Sequence, residues 1–563
     1  MIVGLFTEKF MKNKRIVLDY KHIAMHNEQE IALQAFIDKH VSIVADKYKQ
    51  TALAYFTATT SGKEEDYKIS ADAQFDLERI YTNTEDFARI TAFVQDKDIH
   101  DELLKRQLEM LFLSYQPRQI DEAMLEKQIE LQNHIEKTFF TFRAEINGEA
   151  VTDNQIKKIL NSSDNSDQAK EAWLAGKKVG SLVAEDLIRL VKMRNDVARS
   201  LGYDNYHAMS LHLDEQDPKE INTLFAELDE LTRDTFIQEK KHIDSYLANK
   251  FHITENGLMP WHYQDSFFQE APKVYPVHLD TYYQDQDIVQ LSSTYYASMG
   301  LVVDDMLAKS DLYEREGKYQ HAYCINVDKL GDVRIVCNIK PDSKWMNTQL
   351  HELGHAVYDK YLDPAMPYLL RDPAHTFTTE AIAMLFGRFA TNPQWIQDMI
   401  GIDDNEKQQI THDCFATLRL EQLVFSRWAQ VMYHFEKSLY ENPEQDLNAL
   451  WRDIVEKYQM IKRPVGRDMP DWATKIHIAS SPCYYHNYLL GELLASQLYS
   501  YIIEQVLHSS EYVFQSFYNK PEVGTYLKEK IFAAGRMYHR NTMIEKATGE
   551  KLTAKYYAKQ FVQ

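Results

Sequence analysis

Two histidines and a glutamate within five residues have the types and spacing that metal-dependent hydrolysis needs. His351 and His355 stand four residues apart, so on a helix both imidazoles project from one face and can bind one ion. Glu352 is offset around the helix from this pair, where its carboxylate can contact a water at the metal instead of the metal itself. The pattern predicts one Zn²⁺ ion, with Glu352 as the general base.

A more distant acidic residue, Glu380, supplies a candidate third ligand. The segment 378–386 is apolar on nearly all sides except at this carboxylate. A lone buried charge is very costly, and a shared metal ion would neutralise it. We therefore predict that His351, His355 and Glu380 hold the metal together. The alternative interpretation is two surface histidines beside a glutamate, because so short a motif also arises by chance.

The metal motif requires a helix, and the residues before it predict one. Pro341, Asp342 and Ser343 form a capped helix start, and the chain continues without a turn signal into His351. Most other segments also show apolar residues at three- and four-residue spacing, which is typical of helices. The sequence therefore predicts an all-α chain.

In the part of the chain before the metal motif, turn signals divide the helical pattern. The polar run 162–167 predicts a loop before a helix that opens near Ala169, and a second long helix is expected from about 184 to 200. The segment 252–276 has no period and predicts a long irregular connection. Alternation over 332–336 predicts a short strand that pairs with 321–323 as a hairpin, the only convincing β element in the sequence.

Composition excludes several classes of protein. The 563 residues exceed the size of one small hydrophobic core, so two lobes are expected. A formal net charge of −21 argues against nucleic acid as a partner. The sequence has no apolar run long enough to span a membrane, and residues 1–20 do not resemble a secretory signal. We expect a cytoplasmic location, or a periplasmic or secreted one if a precursor signal is missing; the oligomeric state stays open.

The residues around the metal motif resemble the angiotensin-converting enzyme family of zinc peptidases. The resemblance is carried by blocks in a fixed order: His321-Ala322, Arg334-Ile335, His351-Glu352-Leu353-Gly354-His355, Glu380 after 24 intervening residues, Lys475-Ile476-His477, and Tyr485-His486-Asn487-Tyr488. It implies a two-lobed helical fold with a deep central channel and a small β-hairpin beside the zinc site. It also implies a single peptidase unit over 1–563, with an N-terminal helical lid over about 1–160 and catalytic helical lobes over about 161–563.

The resemblance also implies a task for each matching side chain. His477 and Tyr488 would donate hydrogen bonds to the oxyanion of the transition state. His321 and the main chain of Ala322 would hold the substrate backbone as an added strand. The remaining two matches, Lys475 and Tyr485, would bind the C-terminal carboxylate of a short peptide, which points to a peptidyl-dipeptidase that releases C-terminal dipeptides. Taken singly, Tyr485 and Tyr488 are typical of an aromatic helix face in the core, His477 of a buried core histidine, and Lys475 of a solvated charge.

Two other functions remain open. An oligoendopeptidase of the thimet type, from a related family, would share the metal residues and the tyrosines but would not need a free C-terminal carboxylate. A catalytically inactive, peptidase-like binding protein would belong to another class. Because the chain retains Glu352 and all three predicted ligands, the enzymatic interpretations are favoured.

The sequence departs from the resembling family at several positions. Gln320 and Asn338 stand where that family has a disulfide beside the His-Ala block. Neutral residues stand where its arginines bind activating chloride, so chloride activation is not expected; these are Leu211, Val455 and Asn487. The glutamine of the carboxylate site has no secure counterpart, with Gln284 and Gln286 as candidates. Met384 replaces an aspartate that would orient a ligand histidine, and Asp359 is a candidate substitute.

Overall fold

The computed structural model describes residues 27–275, 277–513 and 515–562, so the expectation about a signal in residues 1–20 lies outside the described residues. Helices account for most of the described chain, and the predicted all-α class is confirmed. The N-terminal part contains α1 (Glu28–Ser61), α2 (Glu64–Tyr81), α3 (Thr84–Gln95), α4 (Glu102–Tyr115), α5 (Glu122–Thr141), β1 (Ala144–Ile146), β2 (Glu149–Val151) and α6 (Asp153–Ser162).

The remaining elements follow in two groups. The first comprises α7 (Ser166–Ser200), α8 (Tyr206–Leu213), α9 (Pro218–Lys250), α10 (Asp280–Tyr283), α11 (Ile288–Ser298), α12 (Asp304–Leu307), β3 (Tyr323–Asn326), β4 (Val333–Val336), α13 (Ser343–Lys360) and α14 (Thr376–Gly387). The second comprises α15 (Pro393–Ile400), α16 (Asp404–Glu441), α17 (Leu447–Gln459), α18 (His477–Ser480), α19 (His486–Tyr501), α20 (Pro521–Tyr526), α21 (Arg540–Thr548) and α22 (Lys555–Phe561).

The helix that carries the histidine pair begins where the sequence predicts. α13 starts at Ser343, and the Asp342 side chain accepts a hydrogen bond from Trp345 N at 2.7 Å. This cap pairs an N–H group that the first helical turn leaves without a partner, and such caps contribute about 1 kcal/mol. The start of α13 is therefore fixed by local chemistry.

The helix α7 corrects one prediction. It runs unbroken from Ser166 to Ser200 with Asn165 as its cap, so the two separate helices expected there are wrong. The apparent gap contains Gly180, and a Cβ atom at this position would lie 2.4 Å from Pro470 O. The glycine is thus explained by close packing against a neighbouring segment, not by a helix end.

A second hairpin, β1–β2, was not predicted. The strands pair antiparallel with Ile146 opposite Glu149, and the turn residues Asn147 and Gly148 both have positive φ values, 52° and 79°. Asn-Gly between two strands is a strong signal for a two-residue hairpin turn. The prediction of a single β element is therefore wrong, although the sequence carried the signal that would have corrected it.

The predicted hairpin next to the metal motif is present with slightly different bounds. β3 pairs antiparallel with β4 in the register Tyr323 opposite Val336, and the hairpin packs against α13. His321 and Ala322 precede the first paired residue. The outer edge of β4 is covered, because Asp311 N donates to Ile335 O at 3.0 Å.

The two larger hydrophobic cores among the described residues lie in different parts of the chain. One belongs to the N-terminal helices and contains Leu33, Phe36, Ile37, Ile90, Ile99, Leu104, Leu108, Leu111 and Tyr115. The larger core is built from residues between Ile135 and Phe561. The division into a lid over about 1–160 and catalytic lobes over about 161–563 stays a prediction.

The connection between α9 and α10 lacks regular secondary structure apart from short 3₁₀ turns at Glu255–Gly257 and Pro260–His262, within the residues described there. The prediction that this connection is irregular is thus confirmed. Among the described helices, none combines the length and the apolar character that crossing a bilayer requires.

Candidate active site

Three helix-borne donor atoms converge at the predicted metal position. The Nε2 atoms of His351 and His355 lie 3.7 and 3.9 Å from Oε2 of Glu380. Donors about 2.1 Å from a tetrahedral zinc ion are about 3.4 Å apart, so these two distances exceed those of a closed zinc site by a few tenths of an ångström. The structure therefore brings the three predicted ligands together.

The charges at this position fit a divalent cation. Among the described residues, only the two imidazoles lie within ion-pair distance of Glu380, and burial lowers the pKa of His351 to about 4. Burial, reinforced by the charge of Glu492, raises the pKa of Glu380 to about 7. The site thus offers two neutral imidazoles and a carboxylate in need of a positive partner, which is a donor set that Zn²⁺ accepts.

The candidate general base lies in the same buried environment. Glu352 is 7% exposed. Burial, followed by the charge of Glu380, raises the pKa of the Glu352 carboxyl to about 8. A carboxylate with a raised pKa is a stronger base than a solvated one, as proton abstraction from water requires.

Two glycines let the three helices of the site approach one another. A Cβ atom on Gly354 of α13 would lie 2.7 Å from the Cα atom of Ala383 on α14. A Cβ atom on Gly491 of α19 would lie 3.1 Å from Cβ of Glu380. In the sequence Gly354 is only a member of the metal motif, whereas the structure shows that close packing against α14 requires a glycine there.

Thr379 is the hydrogen-bond partner of His355, one of the two predicted ligand histidines. His355 Nδ1 lies 2.7 Å from Thr379 Oγ1, and donation of the Nδ1 proton to this hydroxyl leaves Nε2 free to bind a metal. Asp359, the candidate from sequence, does not make this contact. No pattern in the sequence indicated Thr379, because the contact joins two helices.

His477, Tyr485 and Tyr488 form a continuous aromatic group. The ring centroids of His477 and Tyr485 are 5.4 Å apart, and those of Tyr485 and Tyr488 are 5.5 Å apart. Tyr488 lies one helical turn before Gly491, the residue that contacts Glu380, so the group extends towards the metal ligands. Nδ1 of His477 is buried without a hydrogen-bond partner among the described residues.

Lys475 lies in a recess of aromatic rings next to an amide. Its Nζ donates to Gln269 Oε1 at 2.7 Å and lies 5.1 Å from the ring centroids of both Trp428 and Tyr485. Burial lowers the pKa of Lys475 to about 8. The glutamine beside Lys475 is therefore Gln269, from the irregular connection, and not Gln284 or Gln286.

Asn338 joins the two segments at the base of the β3–β4 hairpin. Its Nδ2 donates to Tyr319 O at 3.0 Å, next to Gln320, where the resembling family has a disulfide. His321 is exposed just before β3, and its ring lies 5.3 Å from that of Tyr319.

Asn487, at one of the positions compared with a chloride-binding arginine, belongs to a buried polar network. Gln216 Nε2 donates to Asn487 Oδ1 at 2.6 Å, and Gln216 Oε1 accepts from His486 Nε2. An amide network thus occupies this position instead of a guanidinium group.

Comparison with known families agrees with this geometry. The sequence profile of Peptidase family M3 matches residues 159–563, which include all of the helices that build the metal position. The chain belongs to peptidase family M3. The profile described as angiotensin-converting enzyme matches residues 27–266, so the N-terminal part also resembles the family recognised in the sequence.

Two curated relatives carry names of carboxypeptidases. Carboxypeptidase 1 of Bacillus subtilis (strain 168) is 23% identical over 265 residues, which cover 42% of this chain and 50% of that protein. Thermostable carboxypeptidase 1 of Pyrococcus furiosus is 31% identical over 239 residues, which cover 37% of this chain and 45% of that protein. The chain thus spans about half the length of these relatives.

Proposed function

We propose that this M3-family chain is a zinc-dependent peptidase that releases dipeptides from the C-terminus of short peptides. The observation that carries the proposal is the convergence of His351, His355 and Glu380, with Glu352 buried beside them. An inactive binding protein of the same fold would have no need of this complete set. The carboxypeptidase names of the two relatives support cleavage near the C-terminus.

Different residues of the chain carry out proton transfer and oxyanion stabilisation during hydrolysis. A bound zinc ion would polarise the peptide carbonyl and acidify the attacking water. Glu352 accepts a proton from that water and passes it to the leaving amine. The hydrogen-bond donors of His477 and Tyr488 stabilise the oxyanion as its charge develops, a contribution of about 2.7–4 kcal/mol for one such donor in other enzymes.

The Lys475 recess supports recognition of a free carboxylate. The ammonium group and the amide of Gln269 are two donors held side by side, and Tyr485 adds a phenol next to them. A carboxylate that enters a recess of low polarity forms strong charge-assisted hydrogen bonds with such donors. His321 and Ala322 contribute by holding the substrate main chain at β3.

Substitution of the base tests the catalytic role. We expect Glu352→Gln to retain one zinc ion per chain by metal analysis while kcat falls about a thousandfold. Glu185→Gln, an exposed change on α7, is the matched control and should leave both quantities unchanged. Undiminished turnover in Glu352→Gln would exclude the assigned base.

The alternative function, a thimet-type oligoendopeptidase, differs from dipeptide release in whether the substrate needs a free C-terminal carboxylate. The M3 match, which contains the whole metal position, is the observation that favours it. A dipeptide-releasing enzyme cleaves free-acid peptides much faster than their C-terminal amides, and mass spectrometry of the products shows steps of two residues. Equal rates for acids and amides, with internal cleavage, would favour the oligoendopeptidase.

A further inference from the structure

The outer edge of β3 is a short platform for a peptide strand. Val327 N donates to Asp332 O at 2.7 Å, so Val327 belongs to a hydrogen-bonded pair of the hairpin. Such pairs alternate along an antiparallel ladder, so the next two are at Ile325 and Tyr323. Cys324 and Asn326 fall between those pairs, so their main-chain N–H and C=O groups point away from β4. Because the outer edge of β4 is already covered by Asp311, a peptide can extend this sheet at β3.

This edge lies beside the candidate catalytic residues. β3 packs on α13, the helix that carries Glu352. The charges of Asp359 and Glu352, both on α13, contribute after burial to the raised pKa of the Cys324 thiol. The Cys324 side chain therefore faces α13, and a peptide paired with its main chain lies alongside the metal helix.

A residue of α1 closes the far end of this edge. Tyr48 Oη donates to Asn326 O at 3.0 Å, which uses the outward carbonyl that the next substrate residue would need. The Tyr48 ring is held in place, because Lys329 Nζ lies 4.8 Å from its centroid and donates to Asp372 Oδ2 at 2.6 Å. Lys329 N in turn donates to Asn326 Oδ1 at 2.8 Å. Tyr48 is thus fixed relative to the strand end that it covers.

We propose that Tyr48 ends the substrate-pairing edge of β3, so that a bound peptide pairs with main-chain groups up to Cys324 and gains nothing from residues beyond it. The proposal rests on the proposed peptidase function. In antiparallel pairing, the more stable arrangement, the N-terminal residues of a peptide reach the Asn326 end of β3. Tyr48 therefore limits how many residues on the N-terminal side of the cleaved bond contribute to binding.

Peptide binding to zinc-loaded Glu352→Gln tests the proposal without hydrolysis. The probes are alanine peptides with free carboxylates, lengthened by one residue at a time at the N-terminus, and calorimetry gives Kd. In this background we expect Kd to stop improving once the peptide passes Cys324. Adding Tyr48→Phe, which keeps the ring but removes the hydroxyl, should make the longer peptides bind about two- to tenfold more tightly and leave the shorter ones unchanged.

Two controls make the outcome specific. Tyr55→Phe removes a hydroxyl from the same helix, where the ring packs on Tyr323, and should not change the length dependence. In Tyr48→Phe, N-methylation of the peptide nitrogen opposite Asn326 should abolish the gain.

Each other outcome has a distinct meaning. The same length limit with and without the Tyr48 hydroxyl would overturn the role of Tyr48 alone. A Kd that keeps improving with length in the Glu352→Gln parent would do the same. If no alanine peptide binds and the native protein hydrolyses none, the proposed function fails, and the Tyr48 proposal falls with it.

Discussion

The metal position and the Lys475 recess are built in opposite ways. The proposed metal ligands project from two helices, α13 and α14, whose separation is set by the contact of Gly354 with Ala383. The recess joins Lys475, just before α18, to Gln269 in the irregular connection between α9 and α10. A regular helix places reactive groups at short spacings that can be recognised in the sequence. The loop contact, in contrast, joins two residues that are 206 positions apart. Catalysis is therefore expected to depend on helix packing, and substrate choice on loop contacts.

The helix packing at the metal position is tested by adding one atom to Gly354. Gly354→Ala places a Cβ atom 2.7 Å from Ala383 Cα, a distance that backbone atoms cannot tolerate, so α14 must move together with Glu380. We expect zinc affinity to fall about a hundredfold, comparable with the largest losses seen when a group that orients a ligand is removed. Competition with a chelator measures this. Gly176→Ala, where the new atom meets only a flexible Ile156 side chain, is the control and should bind zinc normally.

The loop-built half is tested by Lys475→Met. The change removes the ammonium and keeps an unbranched apolar chain among the rings. For free-acid peptides we expect kcat/KM to fall about tenfold or more, because a hydrogen bond to a charged group contributes about 1.5–3 kcal/mol. Hydrolysis of C-terminal amides should change little. An equal loss for acids and amides would assign Lys475 a structural role.

The titration of Lys475 provides a second test of the carboxylate site. Burial lowers its pKa to about 8, so the ammonium is present below this pH and is lost as the pH rises through it. We expect the ratio of kcat/KM for an acid to that for its amide to decrease above about pH 8, while titrations at the metal cancel in the ratio. Lys475→Arg keeps its charge to higher pH and should abolish the decrease. A ratio that is constant from pH 6 to 10 would contradict the carboxylate site.

The smallest expected effect is that of chloride. An amide network around Gln216 and Asn487 occupies a position compared with a chloride-binding arginine. We expect kcat/KM to be unchanged when sodium chloride replaces another sodium salt at constant ionic strength. A several-fold activation would show that another cationic group binds the anion.

The sequence predicted those parts of the molecule that local chemistry determines. The start of α13 follows from the Asp342 cap, and the ligand pair follows from the helical repeat. The turn of the β1–β2 hairpin is also determined locally, by Asn147 and Gly148, although the sequence-based prediction included only the β3–β4 hairpin.

Other features could not have been predicted from one sequence. Thr379 contacts His355 across a helix interface, and Gln269 belongs to a segment without periodicity. The continuity of α7 through Gly180 depends on a neighbour at Pro470. Each of these depends on which distant segments meet, and no spacing along the chain encodes that.

The hydrogen bond from Asn338 to Tyr319 O has a consequence for the chemical robustness of the peptide-binding strand. It joins, without sulfur, the two segments that a covalent bridge links in the resembling family. Such a bond contributes only about 1 kcal/mol, but neither reductants nor oxidants can alter it. The hairpin should consequently keep its shape at any thiol concentration, and its tolerance of heat should depend more on the contacts of α1 with β3.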